Sequence, residues 1–213
     1  MLSVEQAYER IMASFQILEA EEKPLLECLG QVLAEDIDSP LALPPMANSG
    51  MDGYALRQSD IAGASQENAK NLKVIGIVAA GQMPDKTVAP GTAIRIMTGA
   101  PVPGGADTVV PFEETDEVQR KQEGIPLDQV AIFADMPVGC NVRPAGEDVS
   151  MGALVLEKGA VVRAAEVGVI ASLGLDKVRV IRRPVVAVLA TGDELVQTGS
   201  PLFGGKIYDA NSF

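Results

Sequence analysis

Between Met46 and Val142 the chain never sustains the apolar spacing of a helix; short β-branched runs are broken repeatedly by Gly, Pro, Asp or Asn. That texture restricts the stretch to short strands joined by tight turns, because branched side chains suit a pleated surface while Gly and Pro supply turn dihedrals. The runs at Leu72–Val78, Thr92–Met97, Asp107–Phe112 and Gln129–Phe133 are the expected strands of a compact β domain. With no Trp and aromatics at 4%, its core must be built from Val, Ile, Leu, Ala and Met. Ser59–Asn71 is read as a short helix or a loop, and the charge-rich Glu113–Gly124 as an exposed hairpin tip.

The flanks have a different texture. Val4, Ala7, Tyr8, Ile11, Met12 and Phe15 repeat at helical spacing, and Ser3 with Gln6 forms a capping-box pattern, so an opening helix is expected. Pro24–Ile37 is expected to hold a short strand and a second helix, and Pro40, Pro44 and Pro45 mark a boundary. Beyond Asp148, Glu166–Gly174 suits a short helix closed by Gly174, followed by a strand at Val178–Ile181. Val185–Ala190 is a continuous apolar run of the kind found in strands buried on both faces of a parallel sheet. Thr191-Gly-Asp-Glu194 follows directly, where ligand loops of α/β sheets lie. The closing Lys206–Phe213 reads as a loop delivering Asp209 or Asn211 as a helix N-cap, and one buried strand cannot make a parallel sheet. The expectation is therefore an N-terminal piece of a longer protein of mixed α/β, multi-domain class.

Charge and composition narrow the functional classes. The 213 residues carry 17 basic and 29 acidic side chains, a net charge of −12 that repels nucleic acid and anionic membranes. Cys28 and Cys140 stand far apart, no signal peptide is recognisable and no apolar run approaches a membrane span, so free thiols and a cytoplasmic location are expected. Histidine is absent, which removes imidazole-based triads and His-ligated metals. Chemistry must rest on carboxylates, hydroxyls, Lys, Arg, a thiol or a bound ion.

Four loops combine glycine with a reactive side chain: Met51–Tyr54, Met97–Pro101, Arg143–Asp148 and Thr191–Glu194. Singly each has an ordinary explanation: a turn carboxylate at Asp52, a capping hydroxyl at Thr98, a surface ion pair of Arg143 with Glu147 or Asp148, a helix cap at Asp193 or Glu194. Together, carboxylates and hydroxyls without histidine suit a hard cation such as Mg²⁺, and through it phosphate chemistry. Neither a Walker loop nor a dinucleotide fingerprint is present.

Asn48–Ala55 (NSGMDGYA), IRIMTGAPVPGGADTVVPFEE at 94–114, NVRPAGEDV at 141–149, IASLGLDKVRVIRRPVVAVLATGDELV at 170–196 and IYDANS at 207–212 together resemble the molybdopterin molybdenumtransferase family. The resemblance spans nearly the whole chain. It implies an enzyme that inserts molybdenum from molybdate into adenylylated molybdopterin and releases AMP with Mg²⁺ present. It further implies a homodimer in contact with the molybdopterin adenylyltransferase. The implied architecture is a discontinuous domain I at about 1–45 and 143–180 and a β-rich domain II at 46–142. A molybdopterin-binding α/β domain III would start within 181–213, Val185–Ala190 being its first strand.

Carried over position by position, the resemblance assigns catalytic roles to Asp52, Thr98, Arg143, Asp148 and Glu194. Asp52, Asp148 and Glu194 are its expected metal ligands, and Thr191, Gly192 and Asp193 its contacts to the pterin cofactor. Molybdate and the substrate phosphates are anions, so Arg143 and Mg²⁺ are the expected counter-charges. Asp52 and Asp148 are expected to hold Mg²⁺ or relay protons, Glu194 to orient metal or water, and Thr98 to donate to an oxyanion. Two other readings stand beside this one: a non-catalytic assembly module of the same architecture, and a general Mg²⁺ or sugar-phosphate binder.

Overall fold

The computed structural model describes residues 2–213. Its first elements are α1 (Val4–Ala13), β1 (Ala20–Pro24), β2 (Ile37–Asp38), β3 (Asn48–Ser49), β4 (Gly53–Leu56) and β5 (Lys70–Val78). They continue with β6 (Thr92–Ile96), β7 (Thr108–Pro111), α2 (Glu117–Glu123), β8 (Gln129–Ile132), β9 (Val142–Arg143) and β10 (Leu154–Leu156). The last are α3 (Ala164–Ser172), β11 (Lys177–Ile181), β12 (Leu195–Val196) and β13 (Ile207–Tyr208). The fold is mixed α/β, with a β-rich unit, Asp36–Glu157, inserted between the two segments of a discontinuous one, Met1–Glu35 with Lys158–Phe213.

The inserted unit is built on a five-stranded sheet of order β7-β4-β6-β5-β8. All pairings are antiparallel except β5 with β6, which run parallel and are joined by residues 79–91. The four runs expected as strands are all there. What the sequence hid is β4, the second strand in spatial order, whose residues Gly53, Tyr54, Ala55 and Leu56 are all buried. Alternate residues feed two cores: Tyr54, Leu56, Leu72, Val110 and Ile132 on one face, Ala55, Ile94, Ile96 and Val109 on the other. Gly53 is required where β4 meets β7, because a Cβ there would lie 2.0 Å from the Val110 carbonyl oxygen.

Glu113–Gly124 is not an exposed hairpin tip. It forms a single turn and then α2, whose first residue, Glu117, is 1% exposed. The reason is local: Asp116 Oδ1 accepts from Ala131 N at 2.9 Å and Thr115 bridges Ile132, so the start of α2 is tied to β8. Gly124, at φ +68°, then ends the helix. Ser59–Asn71 begins as a loop with one short turn, Gln58–Asp60, before β5 takes over at Lys70.

In the discontinuous unit, β1 pairs antiparallel with β11, and Leu25, Cys28, Leu33, Val162, Ile170, Leu173, Val178 and Val180 are buried. The capping box of α1 forms as expected, yet α1 buries none of its side chains. The helix expected within Pro24–Ile37 is absent. Only the turn Leu25–Glu27 forms, Gly30 takes φ +81°, and Val32 and Leu33 bridge Val161 and Val180 instead. α3 and the positive φ of Gly174 match the expected short helix and its closing glycine.

Val185–Ala190 is also a correction. No strand forms there, and Val185 and Leu189 are 92% and 86% exposed. A doubly buried parallel strand needs neighbours on both edges and cover on both faces, and the described residues offer it neither. The only parallel pairing in this region is β12 with β13.

The sequence-based seams at 45/46 and 142/143 differ from the contact-based ones at 35/36 and 157/158. The segments in between pair with each other: β2 with β10 and Leu43 with Val149. That pairing draws both into the inserted unit.

Candidate active site

Three of the four glycine-bearing loops converge in the inserted unit. β3 pairs antiparallel with β9, setting Asn48 opposite Arg143, while Asn48 also bridges Pro101. Ser49 donates its N–H to Ala100 O at 2.9 Å and accepts from Gly99 N at 2.8 Å, and Gly50 donates to Asn141 O at 2.9 Å. The loop carrying Asp52 is thus held between the loop of Thr98 and the strand leading to Arg143. Ser49, 1% exposed, stiffens the turn by donating its hydroxyl to Met51 O at 2.6 Å.

Asp52 lies at the start of β4 and Thr98 just past the end of β6. Thr98 donates both its backbone N–H and its hydroxyl to Asp52 Oδ1, each at 2.7 Å. Those two bonds hold the Asp52 carboxyl below the ordinary aspartate range, backbone first and hydroxyl second, with a smaller effect from the charge of Arg95. Thr98, expected to donate to an oxyanion, gives both of these donors to Asp52.

Arg143 is engaged twice, by Glu147 Oε2 on Nε and by Asp148 Oδ1 on Nη2, both at 2.6 Å. Those bonds, Asp148 first, raise its pKa. The group as it stands carries one positive and two negative charges, so Arg143 is not a free counter-charge. It straps the glycine-bearing loop 143–148, where Gly146 takes φ +74°. A recess of about 240 Å³ beside Asn48, Gly99 and Pro101 is flanked by Met46 and Met83.

Thr191, Gly192, Asp193 and Glu194 form an exposed turn of the discontinuous unit. The Glu194 carboxylate folds back over Gly192, whose φ of +153° favours glycine. Lys206 donates to Asp193 O, and Glu194 O accepts from Ile207 N at 2.9 Å, which fixes the turn against β13. Asp209 accepts from the N–H groups of Asn211 and Ser212, but no helix follows it among the described residues.

Among the described residues no three His, Cys, Asp or Glu side chains come together as a metal centre. An oxygen-only donor set still fits Mg²⁺, which is commonly held by one or two carboxylates together with substrate phosphates.

The sequence reading missed a buried charge cluster behind Asp52. Arg95 of β6 pairs with Glu117 of α2 through Nε–Oε2 at 2.7 Å and Nη2–Oε1 at 3.2 Å. A lone arginine inside Ala93-Ile-Arg-Ile96, upstream of an acidic segment, was the available signal.

The family model described as the MoeA N-terminal region, domains I and II, matches residues 2–174. Molybdopterin molybdenumtransferase 2 of Mycobacterium tuberculosis is 44% identical over 189 residues, covering 89% of this chain and 45% of that protein. Molybdopterin molybdenumtransferase of Staphylococcus epidermidis is 39% identical over 210 residues, covering 99% and 48%. A crystal structure of the molybdopterin biosynthesis moea protein from Pyrococcus horikosii superposes with a TM-score of 0.79 at 37% identity, over 99% of this chain and 52% of that one. The chain spans about half the length of the curated relatives it matches. With most of its residues covered by the family model and a fold shared with a solved relative, the chain belongs to the family of the MoeA N-terminal region.

Proposed function

We propose that this chain is the N-terminal part of a molybdopterin molybdenumtransferase, which inserts molybdenum from molybdate into adenylylated molybdopterin and releases AMP. The observation that carries the reading is the convergence of the loops of Asp52, Thr98 and Arg143, in a chain 44% identical to a relative bearing that name. The account includes the assignment of 1–45 with 143–180, 46–142 and 181–213 to domains I, II and III, a homodimer, contact with the molybdopterin adenylyltransferase, and a cytoplasmic location.

A carboxyl held below the ordinary aspartate range is ionised at neutral pH, so Asp52 acts as an acceptor or a cation ligand and not as a proton donor. Thr98 holds that carboxylate in place and keeps it charged. Asp148 and Glu147 keep Arg143 oriented; an arriving phosphate or molybdate would compete with them for the guanidinium, exchanging one anionic partner for another. Asp52 and Asp148 are residues that would hold Mg²⁺, which supplies charge neutralisation to phosphate oxygens, and Glu194 of the Thr191–Glu194 turn is a further expected ligand that need not serve the same site as Asp52 of the same chain. Thr191, Gly192 and Asp193 would contact the pterin.

The test is molybdate-dependent AMP release from adenylylated molybdopterin by the natural gene product that carries residues 1–213, with Asp52→Asn as the paired variant. Release that requires molybdate and falls at least tenfold in D52N supports the proposal. Release that is independent of molybdate, or no release by a folded protein, overturns it in favour of an assembly role.

A further inference from the structure

We propose that Arg95 is a positioning residue of the candidate site: its guanidinium, held by Glu117, joins the backbone that follows Asp52 to the strand end that leads into Thr98, and thereby sets the Asp52–Thr98 pair. The inference rests on the reading of Asp52 and Thr98 as site residues and adds two residues that touch neither reacting group.

The guanidinium is used from every side. Nη1 donates to Gly53 O at 3.2 Å and to Ile96 O at 2.8 Å. Gly53 directly follows Asp52 in the chain, and Ile96 lies two residues before Thr98. The β4–β6 ladder pairs Gly53 with Ile96, so one cation caps both strands at the end where the two loops leave the sheet. Nε and Nη2 take the two oxygens of Glu117. The rings of Tyr54 and Phe112 each lie 5.5 Å from the guanidinium carbon, and the Arg95 side chain is 11% exposed. A planar fork confined this way has one available orientation.

Glu117 is present for a reason that folding alone does not require. A carboxylate 1% exposed is expensive to desolvate, and an apolar pair at this place would stabilise as well or better. Burial pushes its pKa up, but the hydrogen bonds from Arg95 and Lys121 outweigh that and leave it below the ordinary glutamate range. It stays charged and so keeps the fork in one plane. The charged and titratable groups around it are Arg95, Lys121, Tyr54 and Asp116, of which Asp116 is already paired with Arg120.

The experiment is an NMR titration of the Asp52 carboxyl carbon in the full chain, with the Thr98 amide proton as a second reporter, in Arg95→Lys and Glu117→Gln variants. R95K keeps the positive charge and loses the fork. E117Q removes a negative charge, which by field alone lowers the Asp52 pKa, whereas a loosened clamp raises it; the two causes have opposite signs. The proposal expects the Asp52 pKa to rise in both variants and the Thr98 amide resonance to move upfield. It also expects Lys121→Met, which removes only the exposed partner of Glu117, to change neither. Folded R95K and E117Q proteins with an unchanged Asp52 titration and Thr98 resonance would overturn it, as would an R95K protein that fails to fold, which would make Arg95 part of the scaffold. The titration reads geometry and not turnover, so its outcome is separable from that of the AMP-release assay.

Discussion

The contact most central to this account is a carboxylate oxygen shared by two donors of one threonine. Asp52 has its pKa depressed in the folded state, so the contact contributes stability above the ordinary aspartate range near pH 4 and loses it as pH falls through the lower folded value. Thr98→Val removes the hydroxyl and keeps the amide. The Asp52 pKa is then expected to rise part of the way to its ordinary value, measured by carbon NMR, with the Thr98 amide bond retained. A pKa unmoved by this substitution would mean that the hydroxyl bond is not formed in solution. Glu117 has the same sign of pH dependence for a different reason. Glu117→Ala strands Arg95 in a buried setting and is expected to destabilise the inserted unit by about 3–5 kcal/mol in urea unfolding, against under ~1 kcal/mol for breaking the exposed Arg179–Glu35 pair.

At the scale of elements, β4 explains the opening of its own motif. Asn-Ser-Gly-Met-Asp-Gly-Tyr reads as a turn because Gly and Asp dominate it, yet β3 and β4 occupy its two ends and only residues 50–52 turn. Gly53→Ala puts a methyl onto the Val110 carbonyl and is expected to lower stability by roughly 3 kcal/mol, measured by denaturant midpoint, with the β4–β7 pairing disrupted first. A loss under 1 kcal/mol would show that the strand pair can shift to make room. The flanking strands were legible because they are longer and β-branched. β4 was not, since a four-residue strand buried on both faces lacks alternation and begins in a glycine. The charged α2 was hidden for a related reason: composition reports the solvated face, and here one glutamate of a charge-rich run turns inward to meet an arginine from a strand.

For the whole molecule, texture alone marked a β-rich stretch between two helix-bearing ones, and the discontinuity of the flanking unit came with the family resemblance. Short segments such as Ile37–Asp38 and Leu154–Leu156 show their pairing only once folded. The site divided along the same line. Chemistry-bearing types in glycine loops singled out Asp52, Thr98, Arg143 and Glu194, but spacing gave no sign that Thr98 serves Asp52 or that Arg143 already has two partners. The exposed, unpaired run Val185–Ala190 carries its own expectation: thermolysin should cut there before it cuts within Asp36–Glu157, as mass spectrometry of early digestion products would show. Initial cuts inside the β sheet would contradict the packing described.

The most direct test of the central claim is the AMP-release assay on the natural gene product containing this chain, supplied with adenylylated molybdopterin, molybdate and Mg²⁺. The account predicts release that depends on molybdate and drops at least tenfold on Asp52→Asn. A folded protein that binds the adenylylated substrate but releases AMP equally with and without molybdate, or equally in the D52N variant, would contradict it.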